Sequence, residues 1–198
     1  MLTGLPPLVS AQTRLLILGS FPGVASLAAQ QYYGHPQNHF WKILQAIWSS
    51  SPCPAGLDGY QIRSNWLLAR KLGVWDVYAA CEREGSLDSA IRRPVVNDFA
   101  ALQRLCPQLE AIAHNGGESF KHAPRVRTAL EKSPADVRRA GSPQASTAPS
   151  GGSDDTSVRS VGVQFYRLPS TSPANASWSF ERKLAAWREV FEKHRLID

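Results

Sequence analysis

Apolar and polar positions along the chain predict strands separated by helices. Residues 14–19, RLLILG, form a short apolar run ending in glycine, which is typical of a strand buried on both faces. Residues 73–80 and 109–113 are two more such runs, and residues 161–168 alternate between apolar and polar side chains. We therefore expect four main strands.

Between these strands, apolar residues recur at helical spacing, which predicts helices. Asn97 or Asp98 is expected to cap one of the helices, because both side chains can accept a hydrogen bond from a free backbone N–H. Alternating strands and helices indicate an α/β fold with a mostly parallel sheet. The predicted helices cover residues 38–48, 59–71, 97–105 and 179–194, with another after residue 117.

One segment differs in composition from the rest. Residues 134–160 are rich in Ser, Pro, Gly and Ala and contain almost no large apolar side chains. Such a segment cannot bury enough surface to order itself, so we predict a disordered insertion. It interrupts the domain between the third and fourth strands, and we therefore expect a single domain over residues 1–198.

Composition favours a nucleic-acid partner without requiring one. The formal net charge is +6 at pH 7, and basic side chains bind polyanions by releasing counterions from phosphates. The excess of Arg over Lys would follow equally from a biased genome composition. Cys53, Cys81 and Cys106 are widely spaced, which predicts neither a disulfide framework nor a zinc site. With no leader segment or membrane-spanning run, we expect a cytoplasmic protein.

Polar segments follow the predicted strands. In open α/β sheets, ligands bind beyond the carboxyl ends of the strands. These segments are residues 19–23, 76–79, 114–117 and 168–175, and residues 32–41 follow the first of them.

Several of these segments carry a family resemblance. GSFPG at residue 19, YYGHPQNHFWKIL at residue 32 and LPSTSPANAS at residue 168 resemble, in that order, the mismatch-specific and hypoxanthine-removing branches of the uracil-DNA glycosylase superfamily. HNG at residue 114 and GVWDVYAACEREGSLDSAI at residue 73 also fit the hypoxanthine branch. The resemblance spans residues 14–133 and 161–195.

The resemblance implies a three-layer αβα fold with a four-stranded sheet and DNA bound across the strand ends. It implies a monofunctional DNA glycosylase that starts base excision repair by hydrolysing the N-glycosidic bond of hypoxanthine, with uracil as an overlapping substrate. The expected partner is DNA with a deaminated base. We expect a monomer that needs no metal and no cofactor.

The resemblance also implies roles for single residues. Tyr33 is expected to stack on the extruded base, with Tyr32 as the weaker alternative. Other branches carry Asp or Asn where this chain has Phe21, and a phenyl ring cannot orient water. Asn38 is therefore the expected catalytic residue, holding the water through its amide. A structural alternative is that Asn38 caps the helix beginning at His39.

Other residues are expected to contact the base or the DNA backbone. Asp76 would accept a hydrogen bond from a ring N–H, unless it is only an ion-paired carboxylate at a strand end. His114 and Asn115 could donate to a base carbonyl or a phosphate, although a buried structural role suits His114 equally. Phe21 belongs to the expected base contacts, and Arg182 and Lys183 are expected to be solvated. Ser20, Ser170, Thr171 and Ser172 are the expected phosphate contacts.

Two alternative functions stay open at this point. One is a mismatch-specific uracil or thymine glycosylase, against which Phe21 argues. The other is a catalytically silent α/β module that binds nucleic acid. A Rossmann-type nucleotide enzyme is disfavoured, because neither a G-x-G-x-x-G nor a P-loop motif occurs.

Deleting residues 134–160 should leave base release largely intact, because the three Arg and three Asp of this segment cancel in charge. Base release by the deletion variant, with circular dichroism to verify folding, measures this. A severe loss of activity in a folded variant would contradict it.

Overall fold

Two β-sheets organise the computed structural model, which describes residues 1–53, 59–131 and 162–197. The predicted insertion at 134–160 lies outside the described residues. The strands are β1 (Leu2–Thr3), β2 (Leu15–Gly19), β3 (Leu72–Asp76), β4 (Tyr78–Glu82), β5 (Arg92–Val96), β6 (Ala111–Asn115) and β7 (Gln164–Leu168). The helices are α1 (Val24–Ala29), α2 (Phe40–Ile47), α3 (Gly59–Ala69), α4 (Leu102–Leu105), α5 (Gly117–Phe120), α6 (Ala123–Glu131) and α7 (Phe180–Lys193), with 3₁₀ turns at Asp88–Ala90 and Phe99–Ala101.

The larger sheet has four strands in the order β3-β2-β6-β7, and each neighbouring pair is parallel. Its central strand β2 is buried along its whole length. This sheet confirms the α/β prediction. A parallel sheet covered on both faces explains why β2 reads as a continuous apolar run.

Helices cover both faces of this sheet, which confirms the three-layer αβα fold. Side chains alternate along β2, so Leu15 and Ile17 belong to one core cluster while Leu16 and Leu18 belong to the other. Helices α2, α3 and α7 contribute to the first cluster, and α4 and α6 contribute to the second.

A second sheet was not predicted. Strands β1, β4 and β5 form a three-stranded antiparallel sheet. The single strand predicted for residues 73–80 is wrong, because the chain breaks at Val77 into β3 and β4. Val77 N donates to Gly19 O and Tyr78 N donates to Ser20 O, so the chain leaves the first sheet along the loop after β2. Strand β3 is buried throughout and β4 is buried or half-buried, and the apolar run therefore hid the break.

The final helix agrees with its prediction and begins at a cap. The Ser179 hydroxyl accepts from Arg182 N at 3.3 Å, and Trp187, Val190 and Phe191 are buried on one face of α7. The predicted helix over 97–105 is shorter and begins as a 3₁₀ turn, with Asp98 accepting from Ala100 N at 3.0 Å.

Trp187→Ala should lower the free energy of unfolding by about 3–5 kcal/mol. Trp187 has no exposed surface, contacts the Phe40 ring edge-on and donates from Nε1 to Pro169 O at 3.2 Å. Urea denaturation measures the change, with Trp187→Phe as a milder control. Equal stability of Trp187→Ala and wild type would contradict this packing.

Candidate active site

Three polar or small residues form a row at the carboxyl ends of neighbouring strands. Gly19 on β2 is in register with Asp76 on β3, and Leu18 is in register with His114, which puts Asn115 beside Gly19 at the next step. A Cβ at Gly19 would lie 2.3 Å from Asp76 Oδ1. Only glycine therefore lets the Asp76 carboxyl lie across β2.

A cavity of about 540 Å³ opens above this row. This volume lies within the range of small-ligand pockets and leaves room for a base together with its sugar. It brings together nearly all the predicted site residues, which come from the loop after β2, the segment before α2, the sheet edge and the loop after β7. These are Ser20, Phe21, Tyr33, Asn38, Asp76, Asn115, Ser170, Thr171 and Ser172.

Asp76 is a buried carboxyl that forms no ion pair with any residue that the structure describes. Its side chain is 4% exposed, and Oδ2 has no hydrogen-bond partner among the described residues. Burial, with a smaller contribution from Asp88, raises the pKa of Asp76 to about 7, and Arg83 offsets part of this. Asp76 lines the cavity, and a carboxyl oxygen without a partner is the kind of group that a ligand N–H would satisfy.

Tyr33 offers an aromatic ring beside this carboxyl. Its ring stacks on Phe40 at 3.9 Å between centroids, and its backbone is left-handed with φ 55°. Burial first, and then the Asp76 charge, raise the pKa of Tyr33, so its hydroxyl stays protonated. With Phe40 on one face of the ring, the other face is the one that a base could use.

Tyr32 has a structural role instead. It is 3% exposed, and its hydroxyl donates to Pro6 O at 2.9 Å. Its carbonyl accepts from Trp41 Nε1 at 3.1 Å. The weaker of the two stacking candidates is thus engaged in fixing the segment before α2.

Asn38 combines a structural contact with an open amide. Its Oδ1 accepts from Phe40 N at 2.9 Å, so the side chain does cap the start of α2, although His39 is the residue at the helix boundary. Its Nδ2 has no hydrogen-bond partner in the described part of the chain. One lone pair of Oδ1 and the NH₂ group are therefore available in the cavity.

Asn115 and Thr171 join the end of β6 to the loop after β7. Asn115 Nδ2 donates to Thr171 Oγ1 and Thr171 N donates to Asn115 Oδ1, each at 2.9 Å. Thr171 O in turn accepts from His39 N at 2.9 Å. Because Thr171 has no exposed surface, the prediction that it contacts a phosphate is corrected to a positioning role. The network connects β6 to the start of α2, next to Asn38.

His114 does not reach the cavity, which corrects its predicted base contact. It has no exposed surface, and alternation along β6 turns it to the opposite sheet face, where it stacks on Phe165. The Ser119 hydroxyl donates to Leu18 O at 2.6 Å and therefore accepts from His114 Nδ1 at 2.8 Å. Burial lowers the pKa of His114 to about 4. It is a neutral structural histidine.

The loop after β7 is held by its own side chains and by α7. The Ser170 hydroxyl accepts from Ser172 N at 3.2 Å, and Asn175 Nδ2 donates to Ser170 O at 3.1 Å. Lys183 Nζ donates to Asn175 O at 2.9 Å.

Lys183 was predicted to be solvated, which is wrong, because it is only 1% exposed. Burial lowers the pKa of its ammonium group. Lys183 lies one helical turn before the buried Trp187, and this i, i+4 spacing was the sequence signal for the inward face of α7.

Sequence analysis missed a second wall of the cavity. The loop between β4 and β5 contributes Ser86, Leu87, Asp88 and Ser89. Ser20 Oγ donates to Asp88 Oδ1 at 2.6 Å, and Val24 N donates to Ser86 Oγ at 3.0 Å. The predicted phosphate contact Ser20 is thus engaged with a carboxylate. A run of turn-forming residues, EREGSLDS, was the signal that this segment is a loop.

The fold and this cavity define an α/β protein with its ligand site at the strand carboxyl ends. The family model of the uracil DNA glycosylase superfamily matches residues 6–192 of the sequence. The chain belongs to this superfamily.

Two named relatives and one solved structure are similar to this chain over much of its length. The chain is 38% identical over 189 residues to a hypoxanthine DNA glycosylase of Methanosarcina acetivorans, covering 95% of this chain and 96% of the relative. It is 39% identical over 128 residues to a hypoxanthine DNA glycosylase of Methanosarcina barkeri, covering 63% of this chain and 77% of the relative. The solution NMR structure of a candidate uracil DNA glycosylase from M. acetivorans superposes with a TM-score of 0.70 at 30% identity, covering 98% of both chains.

Two further observations bear on expectations from the sequence. In residues 1–53, 59–131 and 162–197 no helix is both long and apolar enough to span a bilayer. Over the same residues no three His, Cys, Asp or Glu side chains are grouped as metal ligands would be. The absence of a metal requirement stays a prediction.

Asp76→Asn should raise the melting temperature at pH 8 by about 5 °C or more, and by much less at pH 5. The pKa of about 7 in the folded chain lies above that of an unfolded Asp, about 4. Between these two pKa values the folded state binds more protons than the unfolded state. The free energy of unfolding therefore falls as the pH rises from about 4 to about 7. Asparagine removes this titration while keeping the shape of the side chain. Thermal melts of both proteins from pH 5 to 8 measure the effect, and a pH-independent difference would contradict the burial of an unpaired carboxyl.

Proposed function

We propose that this chain is a monofunctional DNA glycosylase that removes hypoxanthine from DNA, with uracil as an overlapping substrate, and leaves an abasic site that starts base excision repair. The observation that carries the proposal is the buried Asp76 carboxyl, with an unpartnered oxygen, in the lining of a cavity with room for a base and its sugar, in a member of this superfamily. The two relatives named hypoxanthine DNA glycosylases support the choice of base.

The base has to leave the duplex to enter this cavity. Extrusion costs a few kcal/mol, and less when the base is mispaired, as hypoxanthine opposite thymine is. Stacking of the base on the face of Tyr33 opposite Phe40 would offset part of this cost, because stacking on an aromatic side chain contributes about 1–3 kcal/mol per base.

Asp76 suits the edge that deaminated bases share. Hypoxanthine presents N1–H next to C6=O, and uracil presents N3–H next to C4=O. An ionised Asp76 accepts from the N–H, whereas a neutral Asp76 accepts from the N–H and also donates to the carbonyl. Adenine has a lone pair at N1 instead, which an ionised carboxylate repels. The ionised carboxylate therefore favours bases that carry the N–H, whereas the neutral acid can also donate to adenine N1.

Asn38 would act on the water. An amide is too weak a base to remove a proton, so it orients the water through Oδ1 and donates through Nδ2 to sugar or base. The water oxygen adds to C1′ as the C1′–N9 bond breaks, or the C1′–N1 bond of uracil, and the bond electrons go to the base. The proton that the added water loses passes to bulk water, from which the anionic base takes up a proton after it leaves. Catalysis then rests on positioning and on stabilising the departing base. Hypoxanthine and uracil leave as tolerable anions, which suits such a site.

Backbone phosphates would be held by the loop after β7. Ser170 and Ser172 are partly exposed, and small hydroxyl side chains let backbone N–H groups approach a phosphate. Ser20 can join them only by exchanging its bond to Asp88. Phe21 lines the cavity where a water-activating Asp or Asn would be needed, which disfavours the mismatch-specific alternative. We propose that the protein acts as a monomer.

Asn38→Ala should reduce single-turnover release of hypoxanthine by about 100-fold or more, with duplex binding changed only a few-fold, because water is no longer oriented. Asn38→Asp keeps an oxygen for the bond to Phe40 N and one for the water but loses the NH₂ group, so it tests the donation from Nδ2 separately. Ser179→Ala, which removes the cap of α7, is a matched control and should retain activity. Alkali cleavage of labelled duplexes reports abasic sites.

Two results would count against the proposal. Full activity in a folded Asn38→Ala variant would remove Asn38 from the mechanism. Duplex binding by the wild type without release of hypoxanthine or uracil would make the catalytically silent binding module the better account.

A further inference from the structure

Lys183 is a buried ammonium group that no step of base release uses. Its side chain is 1% exposed, on the face of α7 that also buries Trp187, Val190 and Phe191. Lysine is almost never fully buried unless an acid pairs with it, yet Lys183 forms no ion pair with any residue that the structure describes. A methionine would fill a similar volume without the cost of burying a charge. Core packing therefore does not explain the ammonium group.

The ammonium group is directed at the loop after β7. Lys183 Nζ donates to Asn175 O at 2.9 Å. Asn175 in turn organises the loop, because its Nδ2 donates to Ser170 O at 3.1 Å and its backbone N donates to Ser172 O at 3.0 Å. Ser170, Ser172 and Asn175 all line the cavity, whereas Lys183 does not. Lys183 thus lies behind the loop, on the side away from the cavity.

The loop itself offers hydrogen-bond donors but no positive charge. Ser170 Oγ accepts from Ser172 N at 3.2 Å, and Ser172 Oγ accepts from Ala174 N at 3.2 Å. Each hydroxyl therefore keeps its own proton for an acceptor outside the loop. Residues 168–175 contain neither Lys nor Arg. A phosphate held by these hydroxyls would have Lys183 as the cation that is bonded to the same loop.

A buried charge acts on such a phosphate more strongly than an exposed one. Salt screens exposed charges, whereas it screens charges inside the protein much less. Arg167 and Arg182 flank the loop in the sequence, but both are exposed. His39, whose backbone N donates to Thr171 O, is not a second cation, because burial first, and then the charge of Lys183, lower the pKa of its ring.

We propose that Lys183 is a positioning residue for DNA binding. It holds the loop after β7 through Asn175, and a backbone phosphate of the DNA supplies the negative charge that balances its ammonium group. The inference rests on the proposed function, because it needs DNA at this loop. Lys183 acts through the shape of the loop and through its charge. It neither touches the phosphate nor takes part in breaking the glycosidic bond.

The salt dependence of DNA binding separates the charge from the loop contact. The probe is a labelled duplex with a tetrahydrofuran analogue of the abasic site, and fluorescence anisotropy gives its affinity between about 50 and 200 mM KCl. Lys183→Met keeps the volume of the side chain, and Lys183→Gln keeps a neutral, slightly shorter donor for Asn175 O. Both variants should bind at least about fivefold more weakly at low salt. Both should also lose about one from the slope of log affinity against log salt, the contribution of one neutralised phosphate.

A matched control lies on the same helix. Lys193→Met removes an exposed lysine from the last turn of α7, about 15 Å from Lys183, and should change neither affinity nor slope. Circular dichroism melts verify folding of all three variants, and Lys183→Gln carries the test if Lys183→Met does not fold.

The slope decides the proposal. A folded Lys183→Gln protein with the wild-type slope would overturn it, even if binding were weaker, because that pattern indicates a loop contact without a role for the charge. If the wild type does not bind the duplex, this inference and the proposed function both fail. If the wild type binds the duplex but releases neither hypoxanthine nor uracil, the proposed function fails and the slope alone decides the role of Lys183.

Discussion

The close approach between Asp76 and Gly19 is the constraint on which the site depends. The parallel register puts the two residues side by side, and the absence of a side chain at Gly19 lets the Asp76 carboxyl extend across β2. Asn115 occupies the next position along the same edge. Any side chain at residue 19 would displace the carboxyl, and a one-residue slip in register would turn it to the other face.

An unpaired, buried carboxyl at residue 76 lowers the stability of the fold. The packing and hydrogen bonds around it offset this loss. Helices α2, α3 and α7 cover this face with large aromatic side chains, and the Asn115–Thr171 pair fixes the loop after β7 to the sheet. His39 N extends that connection to α2, so the wall carrying Asn38 and the loop after β7 are held as one unit. Strain or unmet polarity at a site, stabilised by its surroundings, is typical of functional positions.

The sequence was informative where periodicity and strand ends determine structure. Apolar runs located all four parallel strands, and the residues after them line the cavity, since parallel strands end at a common edge. The errors came from side-chain direction and from continuous burial. His114 is one residue from Asn115 but faces the opposite side. Val77 lies at the break between β3 and β4 but is itself buried. No polar residue therefore marks the break in the sequence.

Tertiary context accounts for the remaining differences. The buried Lys183 shows its inward direction only through its spacing from Trp187. The loop carrying Leu87 became a wall of the cavity through bonds from Ser20 and Val24, which are more than 60 residues away in the sequence. Local pattern cannot predict contacts of that range.

A crystal structure with a duplex containing 2′-fluoro-2′-deoxyinosine, whose glycosidic bond resists hydrolysis, tests the central claim most directly. The account predicts hypoxanthine outside the duplex on the face of Tyr33 opposite Phe40, with N1 and O6 within hydrogen-bond distance of Asp76. A base that stays stacked in the duplex, or that turns another edge to Asp76, would contradict it.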